Sequence, residues 1–261
     1  MRTALLFVPL LTVACSYPRF TASKTVEAEV PLEQAIALHC KTHNGDITIT
    51  RGDASDTIQL HTVMKVRGHT QEEADDNLRL LSVAHEVHGE TLKIYGKYPR
   101  PDLNNRSPSF TYTMKVPEHL ALTLLTHNGN VRTDGTTGAL RVETHNGDVI
   151  GAVQNQKVWV ETHNGEVELA IESGADLDGR IVSHNGDIDV VVSADARCWL
   201  EAATHNGHID PPATIHDADI KRRSLRCRLG EANTDGRLFL KTHNGDIEVA
   251  SGAGGGGNEF K

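Results

Sequence analysis

Aromatic residues make up only 4% of this 261-residue chain. A core built around Phe and Trp is therefore excluded, and the interior has to come from Val, Ile, Leu and Thr arrayed in thin, regular layers. Cysteine is almost as sparse, with four residues and no closely spaced pair of the kind that holds a structural zinc. Cys40, Cys198 and Cys227 remain after Cys15, an odd number that permits at most one disulfide. Long apolar runs are missing too. The longest, Ala4 to Ala14, is too short to span a bilayer and has the length of a signal-peptide core. Cations form no stripe beyond Lys221-Arg222-Arg223 and the formal net charge is -9, so no nucleic-acid partner is expected. There is no Gly-x-Ser-x-Gly elbow and no Walker loop, and nothing positive supports an enzyme.

What is present in excess is one tripeptide. His-Asn-Gly occurs seven times, with histidines at 43, 127, 145, 163, 184, 205 and 243, each preceded by Thr except at Ser183. The intervals are 84, 18, 18, 21, 21 and 38, which gives a unit of 18–21 residues. On this spacing one degenerate copy is expected between His205 and His243, and the first interval has room for four more.

Around each histidine the apolar residues alternate with period two, the mark of half-buried strands. Leu140, Val142 and Thr144 precede His145, for instance, and Val149 follows it in the same phase. The residue three after each histidine, Asp in four copies, falls on the outward phase. Asn-Gly supplies the turn, because both residues tolerate positive φ. The turn residues are the pairs Asn44-Gly45, Asn128-Gly129, Asn146-Gly147, Asn164-Gly165, Asn185-Gly186, Asn206-Gly207 and Asn244-Gly245. Two all-β architectures satisfy this pattern. One is a parallel β-solenoid with a rung every 18–21 residues; the other is an antiparallel β-sandwich of Asn-Gly hairpins. Fixed periodicity favours the solenoid, since hairpin strands have no reason to repeat their identity.

The segment 24–117 is less regular. Strands are expected around Ile47–Thr50, Ile58–Val66, Thr91–Tyr98 and Ser109–Val116, with a short helix over Gln71–Leu81 and a proline-bearing loop over Pro99–Pro108. The domain plan is a signal peptide over 1–14, a lipid-anchored linker over 15–24, a β-repeat domain over 25–251 and a Gly-rich tail over 252–261.

Several of these segments carry a resemblance. The recurring Thr42-His43-Asn44-Gly45-Asp46-Ile47-Thr48-Ile49, the stretch Tyr112-Thr113-Met114-Lys115-Val116-Pro117 and the closing Gly236-Arg237-Leu238-Phe239-Leu240 resemble the DUF4097 family of adhesin-labelled proteins, over about residues 25 to 251. The resemblance implies a β-solenoid-like fold on the bacterial surface with no catalytic residues. Thr12-Val13-Ala14-Cys15 resembles a lipobox, which implies cleavage before Cys15 and its acylation, with palmitate among the fatty acids. That places the chain in the cell envelope, on the outer membrane if there is one. Its expected partners are the membrane, through the lipid, and a polysaccharide or another envelope protein. This chain differs from the family pattern in having His before every Asn-Gly.

Stacked rungs would bring His127, His145, His163, His184 and His205 into a file with one inter-strand spacing of about 4.8 Å between rings. Such a file is a candidate for weak Zn, Ni or Cu binding, with Asp148, Glu166 and Asp187 alongside as further ligands, although no dedicated cofactor is expected. It is also a candidate acid sensor, because a row of imidazolium ions repels itself. The asparagines are expected to form a hydrogen-bonded ladder. His85-Glu86-Val87-His88 has one residue too few between Glu and the second His for a zincin helix, so no catalytic residue is assigned there.

Overall fold

A computed structural model describes residues 20–53, 56–98, 108–154, 157–172, 176–230 and 234–252. The signal peptide, Cys15 and nearly all of the Gly-rich tail lie outside these residues.

The first element among the described residues is β1 (Phe20–Pro31). β2 (Ala37–Lys41) and β3 (Ile47–Arg51) form a first rung, and β4 (Thr57–Gly68), α1 (Gln71–Arg79), β5 (Ser82–His88), β6 (Thr91–Lys97) and β7 (Ser109–Val116) follow. A regular run comes next: β8 (Ala121–Leu125) and β9 (Val131–Thr136), β10 (Leu140–Glu143) and β11 (Val149–Val153), β12 (Lys157–Glu161) and β13 (Val167–Ile171), then β14 (Asp178–Val182) and β15 (Ile188–Ser193). The chain ends with β16 (Cys198–Asn206), β17 (Ile209–Asp210), β18 (His216–Lys221), β19 (Ser224–Leu229), β20 (Arg237–Asn244) and β21 (Ile247–Gly252).

Each rung contributes one strand to each of two facing sheets. The first sheet runs β1-β4-β7-β3-β9-β11-β13-β15-β21-β17 and the second β18-β19-β16-β20-β14-β12-β10-β8-β2-β6-β5. Within the body all pairing is parallel, for example Leu140 beside Leu122 and Val158, and Val149 beside Val131 and Val167. Asn-Gly therefore joins strands of different sheets, which makes it a corner of a β-solenoid rung and rules out the hairpin sandwich. Between the sheets the inward columns Leu38–Leu122–Leu140–Val158 and Ile47–Val131–Val149–Val167–Ile188 are all buried. Each such aliphatic side chain contributes roughly 1.5–3 kcal/mol on leaving water.

Two expectations about the repeat need correction. Among the described residues the 84-residue interval holds one further rung, β6–β7, and not four; β1, β4 and β5 pair antiparallel and α1 packs against β4 and β1. Alternation over the 12 residues of β4 is too long for a rung side of about five, and that strand pairs antiparallel with β1 on one side and β7 on the other. Nor do the described residues between His205 and His243 form a degenerate rung. That interval holds the antiparallel hairpin β18–β19, while the His243 rung, β20–β21, inserts between β14–β15 and β16–β17. Rungs whose corners are chemically identical can stack in any order, so the order in sequence is not the order in space.

Antiparallel strands cover both sheets at the N-terminal end of the stack and the second sheet at the other, where the first sheet finishes in the short parallel strand β17; the antiparallel additions shield open edges of the solenoid. The helix is one turn-fraction shorter than expected and is capped reciprocally: Thr70 Oγ1 accepts from Glu73 N at 3.1 Å and the Glu73 carboxylate accepts from His69 N at 2.7 Å. Cys40, Cys198 and Cys227 are buried free thiols, their ionisation suppressed by burial, with Cys198 pushed up to about 12 and Cys227 to about 11. They act as small apolar side chains.

Four buried side-chain oxygens, those of Thr62, Tyr112, Thr133 and Thr136, have no hydrogen-bond partner among the described residues, and Tyr112, on β7, is the largest of these side chains. Tyr112→Phe removes an orphaned hydroxyl at nearly constant volume, and a stability gain of about 1 kcal/mol is expected in urea unfolding. A loss of stability would mean the hydroxyl is satisfied.

Candidate functional site

The corner is built from five consecutive residues, Thr or Ser, His, Asn, Gly and a polar residue that is Asp in four copies, stacked on their counterparts in neighbouring rungs. The inward Thr or Ser hydroxyl donates to the carbonyl of a corner glycine in the adjacent rung, as in Thr144 Oγ1 to Gly129 O at 3.1 Å and Ser183 Oγ to Gly165 O at 3.0 Å. Asparagine amides form a continuous ladder: Asn128, Asn146, Asn164, Asn185, Asn244 and Asn206 each donate Nδ2 to the neighbouring Asn Oδ1 at 2.6–2.8 Å. Asn44 ends it by donating to Pro108 O at 3.3 Å. Glycine is required because a Cβ at Gly129, Gly147, Gly165 or Gly186 would lie 1.9–2.1 Å from a carbonyl oxygen of the adjoining rung. The carboxylates three residues after histidine are engaged as well. Asp46 Oδ1 accepts from Asn130 N at 2.8 Å, Asp148 Oδ1 from Glu166 N at 3.0 Å and Asp187 Oδ1 from Asp246 N at 2.8 Å. Asp148 and Asp187 thus stitch rungs together.

The histidines project outward and stack face to face. The spatial order is His43, His127, His145, His163, His184, His243, His205, with ring centroids 4.7–4.9 Å apart. The file is two members longer than the five expected. His184 and His205 are not neighbours, because His243 stands between them.

Parallel stacking governs what the file can do. A ring nitrogen's lone pair lies in the ring plane, so the lone pairs of parallel rings run side by side. Two zinc–nitrogen bonds of about 2.0–2.1 Å reach about 4.2 Å even when collinear, short of the spacing between these rings. Among the described residues no group of three or more His, Cys, Asp or Glu side chains converges on one ion. A shared metal ion requires adjacent rings to rotate out of the stack.

Proton binding needs no such rearrangement. His145 and His184 are held below the ordinary imidazole value of 6.5, first by desolvation within the stack and then by the charges of their file neighbours. A histidine depressed in the folded state binds protons more readily once unfolded. Its contribution to stability is therefore intact above pH 6.5 and is lost as pH falls below that value. The melting temperature should be flat from pH 8 to about pH 7 and decline below about pH 6.5, and a variant with the seven histidines changed to Ser should lose most of that decline. An unchanged decline in the variant would assign it to carboxylates.

His85, Glu86 and His88 lie on strand β5, where Glu86 accepts from Tyr95 Oη at 2.5 Å and pairs with Lys97 and His88. These bonds hold its carboxyl down at about 2. The alternation of a strand sends His85 and His88 to opposite faces, so they do not converge.

A second feature beside the histidines escaped the sequence reading. Glu143, Glu161, Arg180 and Lys241 line an open groove of about 600 Å³ along the histidine file. They stand two or four residues before the repeat histidines, on the outward phase of the second sheet. That phase was legible; what was not is which rungs lie side by side.

Similarity to known proteins follows the fold. Residues 7–250 match the family described as Toastrack DUF4097. A crystal structure of a "putative cell adhesion protein" from Clostridium sporogenes is similar with a TM-score of 0.52 and 10% identity, covering 88% of this chain and 100% of that one. A "putative adhesin" from Bacteroides fragilis has 15% identity and a TM-score of 0.35, covering 87% and 97%. No curated protein matches the chain. A family match over nearly the whole length, together with parallel rungs and repeated corners, leads to one conclusion: the chain belongs to the Toastrack DUF4097 family.

Proposed function

We propose that this chain is an exported, non-enzymatic binding module, anchored in the bacterial envelope by a lipid on Cys15, that presents one long face of its solenoid to a polysaccharide or another envelope protein. The observation that carries this reading is the construction of the stack. Seven corners are held in register by ladders of Thr, Asn and Asp, and the outward side chains repeat at one inter-strand spacing on a rigid surface. Such a surface suits an extended partner. The Clostridium sporogenes neighbour, named for cell adhesion, supports the same direction.

The test is location and anchoring. Intact cells producing the chain should lose it to external protease, and the N-terminal peptide should carry fatty acid on Cys15, with Cys15→Ser releasing the protein from membranes. Retention in the cytosol, with an unprocessed N-terminus, would end this reading.

A second reading has the unbroken file of seven imidazoles in its favour: a metal-buffering or acid-sensing envelope protein. Calorimetric titration with Zn, Ni and Cu separates the two. Micromolar binding that disappears when His127, His145, His163, His184 and His205 become Ser favours the metal; absence of heat favours the binding module.

A further inference from the structure

The outward face of the second sheet has an unusual composition for this chain. Both of its tryptophans, Trp159 and Trp199, lie there, although most of the protein's large side chains are aliphatic and buried. Trp159, Arg180 and Phe239 occupy equivalent positions on the adjacent strands β12, β14 and β20, and Arg141 precedes them on β10. Arginine and aromatic therefore alternate along the solenoid axis. The Arg141 guanidinium sits 4.2 Å from the Trp159 ring centroid and that of Arg180 4.8 Å from the Phe239 ring. Stacking over the ring holds each guanidinium in place and does not consume its in-plane N–H donors, one of which Arg141 gives to Glu143. Aromatic residues with arginine are also the composition of binding hot spots, and none of these side chains is needed by the core.

The groove runs beside this ridge, parallel to the axis. Its floor is the column Glu143, Glu161, Val182 and Lys241, in register across four strands, and its far wall is the repeat histidines. The two ends differ in charge. Glu143 is paired with Arg141, and Glu161 stands next to it, so this end offers carboxylate acceptors. At the other end Arg180 and Lys241 lie diagonally across β14 and β20 and pair with no carboxylate among the described residues. Unpaired cations call for an anion; adjacent carboxylates call for hydroxyl donors.

Building on the surface-module reading, we propose that this groove binds a linear polysaccharide that carries carboxylates, with a uronate held by Arg180 and Lys241 and sugar hydroxyls donating to Glu143 and Glu161. The length of the site selects a polymer. Glu143 and Lys241 are separated by three rungs, roughly 14 Å at the usual inter-strand spacing, more than a single sugar spans. A groove this shallow and open, with no closed end, also suits a chain passing through more than a small molecule enclosed on all sides.

The experiment is calorimetric titration of the purified full chain with oligogalacturonate, cello-oligosaccharide and poly-glutamate. Oligogalacturonate should bind saturably, cello-oligosaccharide and poly-glutamate at least about tenfold more weakly. Arg180→Glu and Lys241→Glu should each weaken oligogalacturonate binding by about tenfold or more, while Asp189→Asn, on the other sheet, leaves it unchanged. All three positions are exposed, and equal melting temperatures will confirm that the variants fold. No saturable binding of oligogalacturonate, or equal affinity in the two charge-reversed variants, overturns the proposal. Poly-glutamate binding as tightly as oligogalacturonate overturns it in favour of an acidic polypeptide. Failure here is separable from failure of the surface-module reading, which protease shaving and Cys15 acylation decide without any glycan.

Discussion

Gly147→Ala should lower the melting temperature by roughly 6–12 °C, corresponding to a loss of about 3 kcal/mol in a chain of this size. The Cβ it introduces would lie 1.9 Å from Gly129 O. Neither rung can move away. Asn146 N is bonded to His127 O at 2.8 Å on one side, and Gly147 N to Asn164 O at 2.9 Å on the other, while Gly147 O accepts from Thr162 Oγ1 at 3.0 Å. Displacing one corner strains the ladders above and below it. Gly89→Ala is the matched control: its φ is +58° but no atom lies within 4 Å of the added carbon, so only the left-handed backbone is penalised, at about 1 kcal/mol. If Gly147→Ala melts no lower than Gly89→Ala, the corners are not packed as described.

Deleting residues 231–261 should unfold β16 to β19 while the rungs from β8 to β13 persist. The deletion removes β20 and β21, which hold β16 to β14 in one sheet and β17 to β15 in the other. Four buried aliphatic side chains go with them, Leu238, Leu240, Ile247 and Val249. At roughly 1.5–3 kcal/mol each, their loss rivals the whole stability of an ordinary domain, about 5–15 kcal/mol. Hydrogen exchange would read the result strand by strand. Full protection of β16 to β19 in the shortened chain would mean that the His205 rung had slid into the vacated place, and that rungs are interchangeable.

Alternation about each His-Asn-Gly identified the corner, the inward columns and the outward imidazoles, because period and turn chemistry are local properties. Neighbour relations are not local. The corners at His184 and His205 share the His-Asn-Gly turn and differ in their flanks, Ser183 and Asp187 against Thr204 and His208, but neither flank encodes a neighbour, and the rung at His243 stands between them. The antiparallel strands at the two ends escaped for a related reason. β1 and β5 carry long stretches with little burial, so their apolar pattern is weak, and their pairing is dictated by the edges they cover. The groove required both kinds of knowledge: outward phase from the sequence, and lateral order from the fold. Glu161, Arg180 and Lys241 lie 80 residues apart at the extremes, yet occupy three adjacent strands.

The asparagine ladder also determines how this protein ages. Asn-Gly is chemically fragile: the glycine nitrogen can attack the asparagine side-chain carbonyl carbon, expelling ammonia and closing a succinimide that water opens to aspartate or isoaspartate. In the stack both reactants are occupied. Gly45, Gly129, Gly147, Gly165, Gly186 and Gly245 all commit their N–H to a carbonyl of the adjacent rung, and the asparagine amides commit theirs to one another. Asn206-Gly207, where the file ends, has a rung on one side only and should be the first pair to deamidate. Each unfolding event exposes all seven, and one isoaspartate would break the ladder on refolding, so the chain's chemical lifetime depends on how seldom it opens.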